Sequence, residues 1–379
     1  MLCPTLTNPV RTRASLLRSR VHAIVRAVIW AAALALPLHA TGCDSGVSVW
    51  PSTTGSGPRA GDQPGAPGGG GGGGGGSSVA MPADGSAPLL LMASTLDSEV
   101  NARAAELNSI RAYLIYQNSG EVDGRYDEAK FRREVERIVP AAWGGPVSLD
   151  FEGRWLAWLS EDPSSVEFQR GEAAMLELIR VAREVRPNAK WSVYGVPTLR
   201  AFVASPTGST VGWHLGSEES KARALERGRA ARRVVQACDW VAPTIYDLHD
   251  TERLPRHAPA QVARVEALVG LAVELAEGRP VYPFVWHRVH PSSREDGLKL
   301  MSNAQFINGQ VRPSLEAGAS GVIWWGADRL HIRRGTIGGR QPQEVAGLDI
   351  EDLDAVDAMV RRIHLEKIEA LAPLFPRVQ

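Results

Sequence analysis

Acidic residues are absent from the first 43 positions of this chain, which carry five arginines, Arg11, Arg13, Arg18, Arg20 and Arg26. The apolar stretch behind them, Ala27–Leu38, falls well short of the roughly 20 residues that a spanning helix needs. A basic start, a short apolar centre and the small residues Ala40-Thr41-Gly42 read as an export signal, residues 1–43. Small residues directly before Cys43 resemble a lipobox, so Cys43 is expected to carry a lipid and tether the protein to a bacterial membrane. That places the mature chain in the cell envelope, on the periplasmic or the cell-surface side. An ordinary signal peptide ahead of a chance cysteine is the alternative.

Cysteine is scarce. Cys3 leaves with the signal, Cys43 takes the lipid, and Cys238 is alone in what remains, which excludes an internal disulfide there. Cys238, in Ala237-Cys238-Asp239-Trp240, is expected to be a buried inert thiol rather than a nucleophile. Basic runs are lacking too. The chain has 42 basic and 42 acidic residues, and losing the five signal arginines leaves 37 against 42. This balance argues against a nucleic-acid partner.

Glycine, by contrast, is concentrated. Residues 44–87 are dominated by Gly, Ser, Pro and Ala, with nine consecutive glycines from Gly68 to Gly76. Such a segment buries too little apolar surface to offset its ordering entropy, so it reads as a flexible tether. Residues 88–379 remain for one folded domain, expected to be monomeric.

Within that domain short apolar runs alternate with longer stretches of helical period. The expected strands are Pro88–Met92, Arg111–Tyr116, Val147–Phe151, Trp191–Gly195, Val241–Tyr246, Val281–Trp286 and Gly321–Trp325. The expected helices include Asp127–Val139, one opening at a Ser164/Glu167 capping box, Glu218–Gln236, Ala260–Glu277, Ser302–Ala317 and Glu351–Leu371. This alternation means parallel strands covered by helices, either a closed barrel or an open doubly wound sheet. No Gly-rich phosphate loop follows the first strand, which favours the barrel, of seven or eight strands. No cofactor is implied.

A barrel of this kind carries its site at the C-terminal strand ends. Those ends read Tyr116-Gln117-Asn118, Asp150-Phe151-Glu152, Tyr194-Gly195, Tyr246-Asp247, Trp286-His287-Arg288 and Trp324-Trp325-Gly326. They offer flat rings for stacking and polar groups for hydroxyls, as a sugar site requires. Asp150 and Glu152 are two residues apart on one strand, so both point to one side, roughly 6–7 Å apart along the chain. Partly desolvated and mutually repelling, one stays protonated near neutral pH and supplies the acid for glycosidic cleavage. Two carboxylates on one side of the sugar do not make an opposed acid and nucleophile. They suit attack by the sugar's own 2-acetamido oxygen, with Glu152 as acid and Asp150 orienting the acetamido group. Metal binding, or pairing with Arg154, are the other readings of Asp-x-Glu.

Tyr246-Asp247-Leu248-His249-Asp250 has possible metal ligands, but no spacing that compels a metal. His287 and His290 are expected in a strand-end loop beside the groove. Trp155 and Trp158 serve either packing or sugar stacking.

Five segments in order resemble the hyaluronidase family of glycoside hydrolases over about 200 residues. They are Asp150-Phe151-Glu152, Trp191-Ser192-Val193-Tyr194-Gly195-Val196-Pro197, Pro243-Thr244-Ile245-Tyr246, Arg279-Pro280-Val281-Tyr282-Pro283-Phe284, and Gly318-Ala319-Ser320-Gly321-Val322-Ile323-Trp324-Trp325-Gly326. The resemblance implies a retaining, substrate-assisted hydrolase acting on a polysaccharide of 2-acetamido sugars. Glu152 is then the acid/base, Asp150 orients the acetamido group, Tyr246 bonds its carbonyl, and Trp325 floors the sugar. Asn118, Tyr194, Trp286, His287, Arg288 and Asp247 are the further expected substrate contacts. Gly153-Arg154-Trp155 departs from the animal enzymes, whose disulfides are also missing here. Arg154, Arg200, Arg288 and His287 are the candidates for a local basic lining. A barrel that has lost catalysis and binds glycans or partner proteins is the competing reading.

Overall fold

The computed structural model describes residues 87–377, apart from 94–96, 199–201, 205–209, 292, 294–296, 334–342 and 346. The leader, Cys43, the glycine-rich segment and Arg200 lie outside the described residues. None of the described helices is long and apolar enough to cross a membrane.

The chain alternates strand and helix. In order come β1 (Leu89–Met92), α1 (Ser98–Ala104), β2 (Ser109–Arg111), β3 (Tyr113–Tyr116), α2 (Glu128–Ile138), β4 (Pro146–Asp150), α3 (Arg154–Leu159), α4 (Val166–Val185) and β5 (Lys190–Val193). Next come α5 (Glu218–Ala230), α6 (Arg232–Ala237), α7 (Ala258–Ala276), β6 (Phe284–Val285), α8 (Asn303–Phe306) and α9 (Arg312–Glu316). The chain ends with β7 (Gly321–Trp324), α10 (Asp328–Arg333) and α11 (Leu353–Leu371). A π-helical turn, Ile307–Val311, joins α8 to α9.

Strand pairing runs around a ring. β1 pairs in parallel with β7 on one side and β2 on the other. At Ala112, whose N–H still reaches the Met92 carbonyl, the strand changes partner and continues as β3 beside β4, which pairs with β5. Single parallel bridges carry the ring onward: Tyr194 to Ala242, Val241 to Val281, and Thr244 to Phe284. β6 then pairs with β7. The architecture is an α/β barrel of seven parallel strand positions, and the expected strands all fall on it.

Two glycines matter to this layout. A Cβ on Gly321 would lie 1.9 Å from the Leu89 carbonyl oxygen, so only glycine allows the last strand to close against the first. Gly153 has φ +56 and ψ −126, a backbone that side chains resist, and it turns the chain from β4 directly into α3.

Side-chain alternation divides the core. Val147, Leu149, Trp191 and Val193 pack outward against Phe131, Val135, Leu178 and Ile179 of the helices. Leu89, Leu91, Leu114, Ala242, Tyr282, Phe284 and Ile323 pack with one another as a separate cluster that fills the lumen. The capping box is displaced by one residue. Ser165 caps α4 by accepting from Phe168 N–H, while Ser164 is held by the Asp162 carboxylate at 2.6 Å.

Candidate active site

The C-terminal end of the lumen is floored by its apolar filling, and the titratable groups stand on that floor. Asp150 is the last residue of β4. Alternation turns Val147 and Leu149 outward, so Ser148 and Asp150 face inward. Its neighbours agree: Asp150 and Glu152 both act electrostatically on the hydroxyls of Tyr194 and Tyr246. One Asp150 oxygen, Oδ1, is sealed from solvent with no hydrogen-bond partner. Burial pushes the Asp150 pKa up to about 7, and a hydrogen bond with the Glu152 side chain opposes the rise. Two carboxyl groups share a hydrogen bond only when one of them carries a proton. The pair therefore holds a proton between Asp150, one oxygen of which is sealed from solvent, and Glu152; both residues are half-buried.

The two tyrosines complete the polar set. Their hydroxyls are hydrogen-bonded to each other, and Tyr194 also donates to Thr244 Oγ1 at 3.4 Å. Burial, with the carboxylates beside them, holds both phenols well above their usual pKa, so each keeps its hydrogen. The Tyr246 ring lies between two others, Trp325 on one side (5.9 Å, 25°) and His290 (5.9 Å, 16°). Trp286 meets Trp325 edge-on at 4.8 Å. Five expected residues thus form one connected set: Asp150, Glu152, Tyr194 and Tyr246 through their polar groups, and Trp325 through the Tyr246 ring. Trp286 is fully buried and backs the aromatic wall without presenting a face to a ligand.

The structure separates the others, and period-two alternation explains most of it. Tyr246 points inward, so Asp247, next along the strand, points outward. It is fully buried, accepts from Gln305 Nε2 at 3.3 Å, and its Oδ2 lies against Gly309 in the π turn. Burial pushes its pKa up to about 7. His287 likewise follows inward Trp286 and points out. Its Nδ1 accepts from Trp324 Nε1 at 2.9 Å, and its Nε2 faces Asp328 at 2.8 Å. Arg288 is fully buried, bonded to Asp328, to the Leu298 carbonyl at 2.9 Å and to Glu344 at 3.0 Å. His287, Arg288 and Asp247 therefore do not line a substrate groove. Asn118 lies on the turn after β3, where its carbonyl takes the Lys130 ammonium at 2.7 Å.

His287, Asp328 and His364 have a composition that can hold a metal, with ligand atoms within 4.8 Å of one another. Their hydrogens argue otherwise. Because His287 Nδ1 takes the indole hydrogen, the neutral ring carries its own hydrogen on Nε2, the atom that faces Asp328. Burial lowers the His287 pKa to about 4, which keeps the ring neutral, while Arg288 and the histidines hold Asp328 well below the usual range. The result is a charge-balanced clamp tying the β7 end to α11.

Arg154 does not pair with the Asp-x-Glu carboxylates. It bonds Glu121 at 3.1 Å and lies over the rings of Trp155 and Trp158. Trp155 is core, 5 % exposed, with Nε1 on Glu121 at 2.8 Å, whereas Trp158 remains partly exposed. Cys238 is buried, and that burial pushes its thiol up to about 12, as an inert cysteine requires.

Two site residues escaped the sequence reading. Gln117 lies against Gly153, its Oε1 3.5 Å from where a Cβ would stand. Its signal was its place at a strand end. Arg264, on α7, donates to the Tyr246 carbonyl at 2.9 Å. It is on the buried face with Gln261, Val265 and Leu268, and an arginine there is the only trace in the sequence.

No protein-family model matches the chain, and no curated protein matches it. Among solved structures it is similar to bee venom hyaluronidase, with a TM-score of 0.49 and 15 % identity over 76 % of this chain and 99 % of that one. It is also similar to a GH18 chitinase from Pseudoalteromonas aurantia (TM-score 0.34, 14 % identity, 63 % and 93 % covered). A third is a putative alpha-L-fucosidase from Bacteroides thetaiotaomicron (0.35, 9 %, 68 % and 84 %).

Proposed function

We propose that this chain is a glycoside hydrolase that cleaves a polysaccharide of 2-acetamido sugars with retention, using the substrate's acetamido oxygen as nucleophile. The observation that carries the reading is the proton-sharing pair Asp150–Glu152 at the mouth of an apolar lumen, beside two tyrosine hydroxyls and an aromatic wall.

Each part has a chemical use. Glu152 gives its proton to the leaving glycosidic oxygen. Asp150 beside it accepts from the acetamido N–H and steadies the charge that develops as the acetamido oxygen bonds to the anomeric carbon. Tyr246 donates to that oxygen and orients it. Trp325 offers a flat face to the sugar. Water then opens the cyclic intermediate, with Glu152 as base. Asp150 and Glu152 stand two residues apart at the end of one strand, an arrangement that favours substrate assistance over an opposed acid–nucleophile pair. The hyaluronidase-like order of the five sequence segments agrees with these roles.

The test is direct. The purified protein is incubated with chitin oligomers, hyaluronan, chondroitin and peptidoglycan glycans, and new reducing ends are counted. Glu152→Gln is expected to lower any activity found by at least ~10²-fold. Cleavage at the wild-type rate by that variant means that another group is the acid. A protein that binds these glycans without cleaving any of them is instead a binding barrel.

A further inference from the structure

A small hollow lies beside α7, bounded by Trp213, His249, His257, Ala260, Gln261 and Arg264. It has room for one water-sized group. Arg264 is 2 % exposed, yet its charge has no partner of opposite sign in hydrogen-bond contact. Its Nη1 is spent on the Tyr246 carbonyl at 2.9 Å and the Gln261 amide oxygen at 3.2 Å, and its Nε is sealed without any partner. The neighbouring carboxyl, Asp247, acts on it only through space and is itself pushed by burial toward neutrality, to about 7.

The rest of the lining favours negative charge. Among the described residues no acidic side chain borders the recess. His257 accepts at Nε2 from Arg256 Nε at 3.2 Å, which places its hydrogen on Nδ1 when the ring is neutral. Burial and the adjacent Arg256 and Arg253 lower its pKa, so neutral is its normal state.

We propose that this recess binds one small inorganic anion of halide size on Arg264. A buried guanidinium with no opposite charge in hydrogen-bond contact is costly, and a water molecule meets its hydrogen bond but not its charge. The space excludes sulfate, phosphate and any sugar. Because the same guanidinium holds the Tyr246 carbonyl, a bound anion steadies that tyrosine from behind. The site is independent of the hydrolase reading and stands or falls without it.

Crystals of the protein soaked in bromide, measured at the bromine edge, test it. One anomalous peak within hydrogen-bond distance of the Arg264 guanidinium is expected. In parallel, thermal unfolding is followed as chloride replaces isethionate at fixed ionic strength. The midpoint is expected to rise by a few degrees and saturate. Arg264→Gln should lose that rise, and so should Ala260→Leu, which fills the recess while keeping the arginine. A water without anomalous signal, no saturable chloride effect, or a rise that persists in the folded variants overturns the proposal.

Discussion

A carboxyl group stripped of water holds its proton to higher pH, and at Asp150 this has two consequences of opposite sign. For activity, Asp150 and Glu152 titrate as a unit around one shared proton. Raising the pH through about 7 removes that proton, which in the proposed mechanism is the acid. The rate kcat/KM is expected to fall about tenfold per pH unit on the alkaline side, and a profile flat from pH 5 to 9 would remove the pair from the mechanism. For stability, the folded pKa is raised above the unfolded value. The contribution of Asp150 is therefore fully present below about pH 4 and is lost as the pH rises through about 7. Asp150→Asn should consequently melt higher than the wild type at pH 8 while losing activity, with melting curves at pH 5 and pH 8 as the check. A lower midpoint at pH 8 would mean that the carboxylate is better solvated there than its sealed oxygen implies. The residue types at this site were legible in the sequence, because strand ends are where a barrel exposes them. The side on which each one falls was less so. Asp247 and His287 follow inward-facing aromatics by one position, and the same alternation that brings Tyr246 to the site sends Asp247 behind the barrel wall.

At the scale of elements, the strands could be read from composition because most, such as β1 and β7, are buried on both faces and so are nearly all apolar. Where they end, and what they close against, depended on single positions. Gly321 is the sharpest case, since a methyl group there collides with backbone of β1 rather than with a side chain that can move aside. Gly321→Ala is expected to cost on the order of 3 kcal/mol or more, read as a shift of the denaturant midpoint without a change in slope. An unchanged midpoint would show that the first and last strands are not held together as described. The shift of the α4 cap from Ser164 to Ser165 has a local cause: Asp162 competes for the Ser164 hydroxyl, leaving the next serine to meet the helix.

On the scale of the whole molecule, the barrel puts its reactive pair at one end, while the clamp of His287, Arg288, Asp328 and His364 fastens the last strand to the C-terminal helix. We propose that the protein works at the cell envelope, held by a lipid on Cys43 and spaced from the membrane by residues 44–87. Cys43→Ser should move the protein from the membrane to the soluble fraction of the exported pool without changing its rate on soluble oligosaccharides. Retention of the variant on membranes would require another anchor.

The sequence by itself determined the order of strands and helices, the single buried thiol and the carboxylate pair, because burial and periodicity act locally along a chain. Only the tertiary structure decided which strand-end groups meet. Tyr194, Tyr246 and Trp325 reach Asp150 and Glu152 across the barrel, whereas Arg288 and His287 turn to Asp328. Those outcomes depend on register and facing between distant segments, and solvent exclusion at Asp150 exists only once all of them have closed around it.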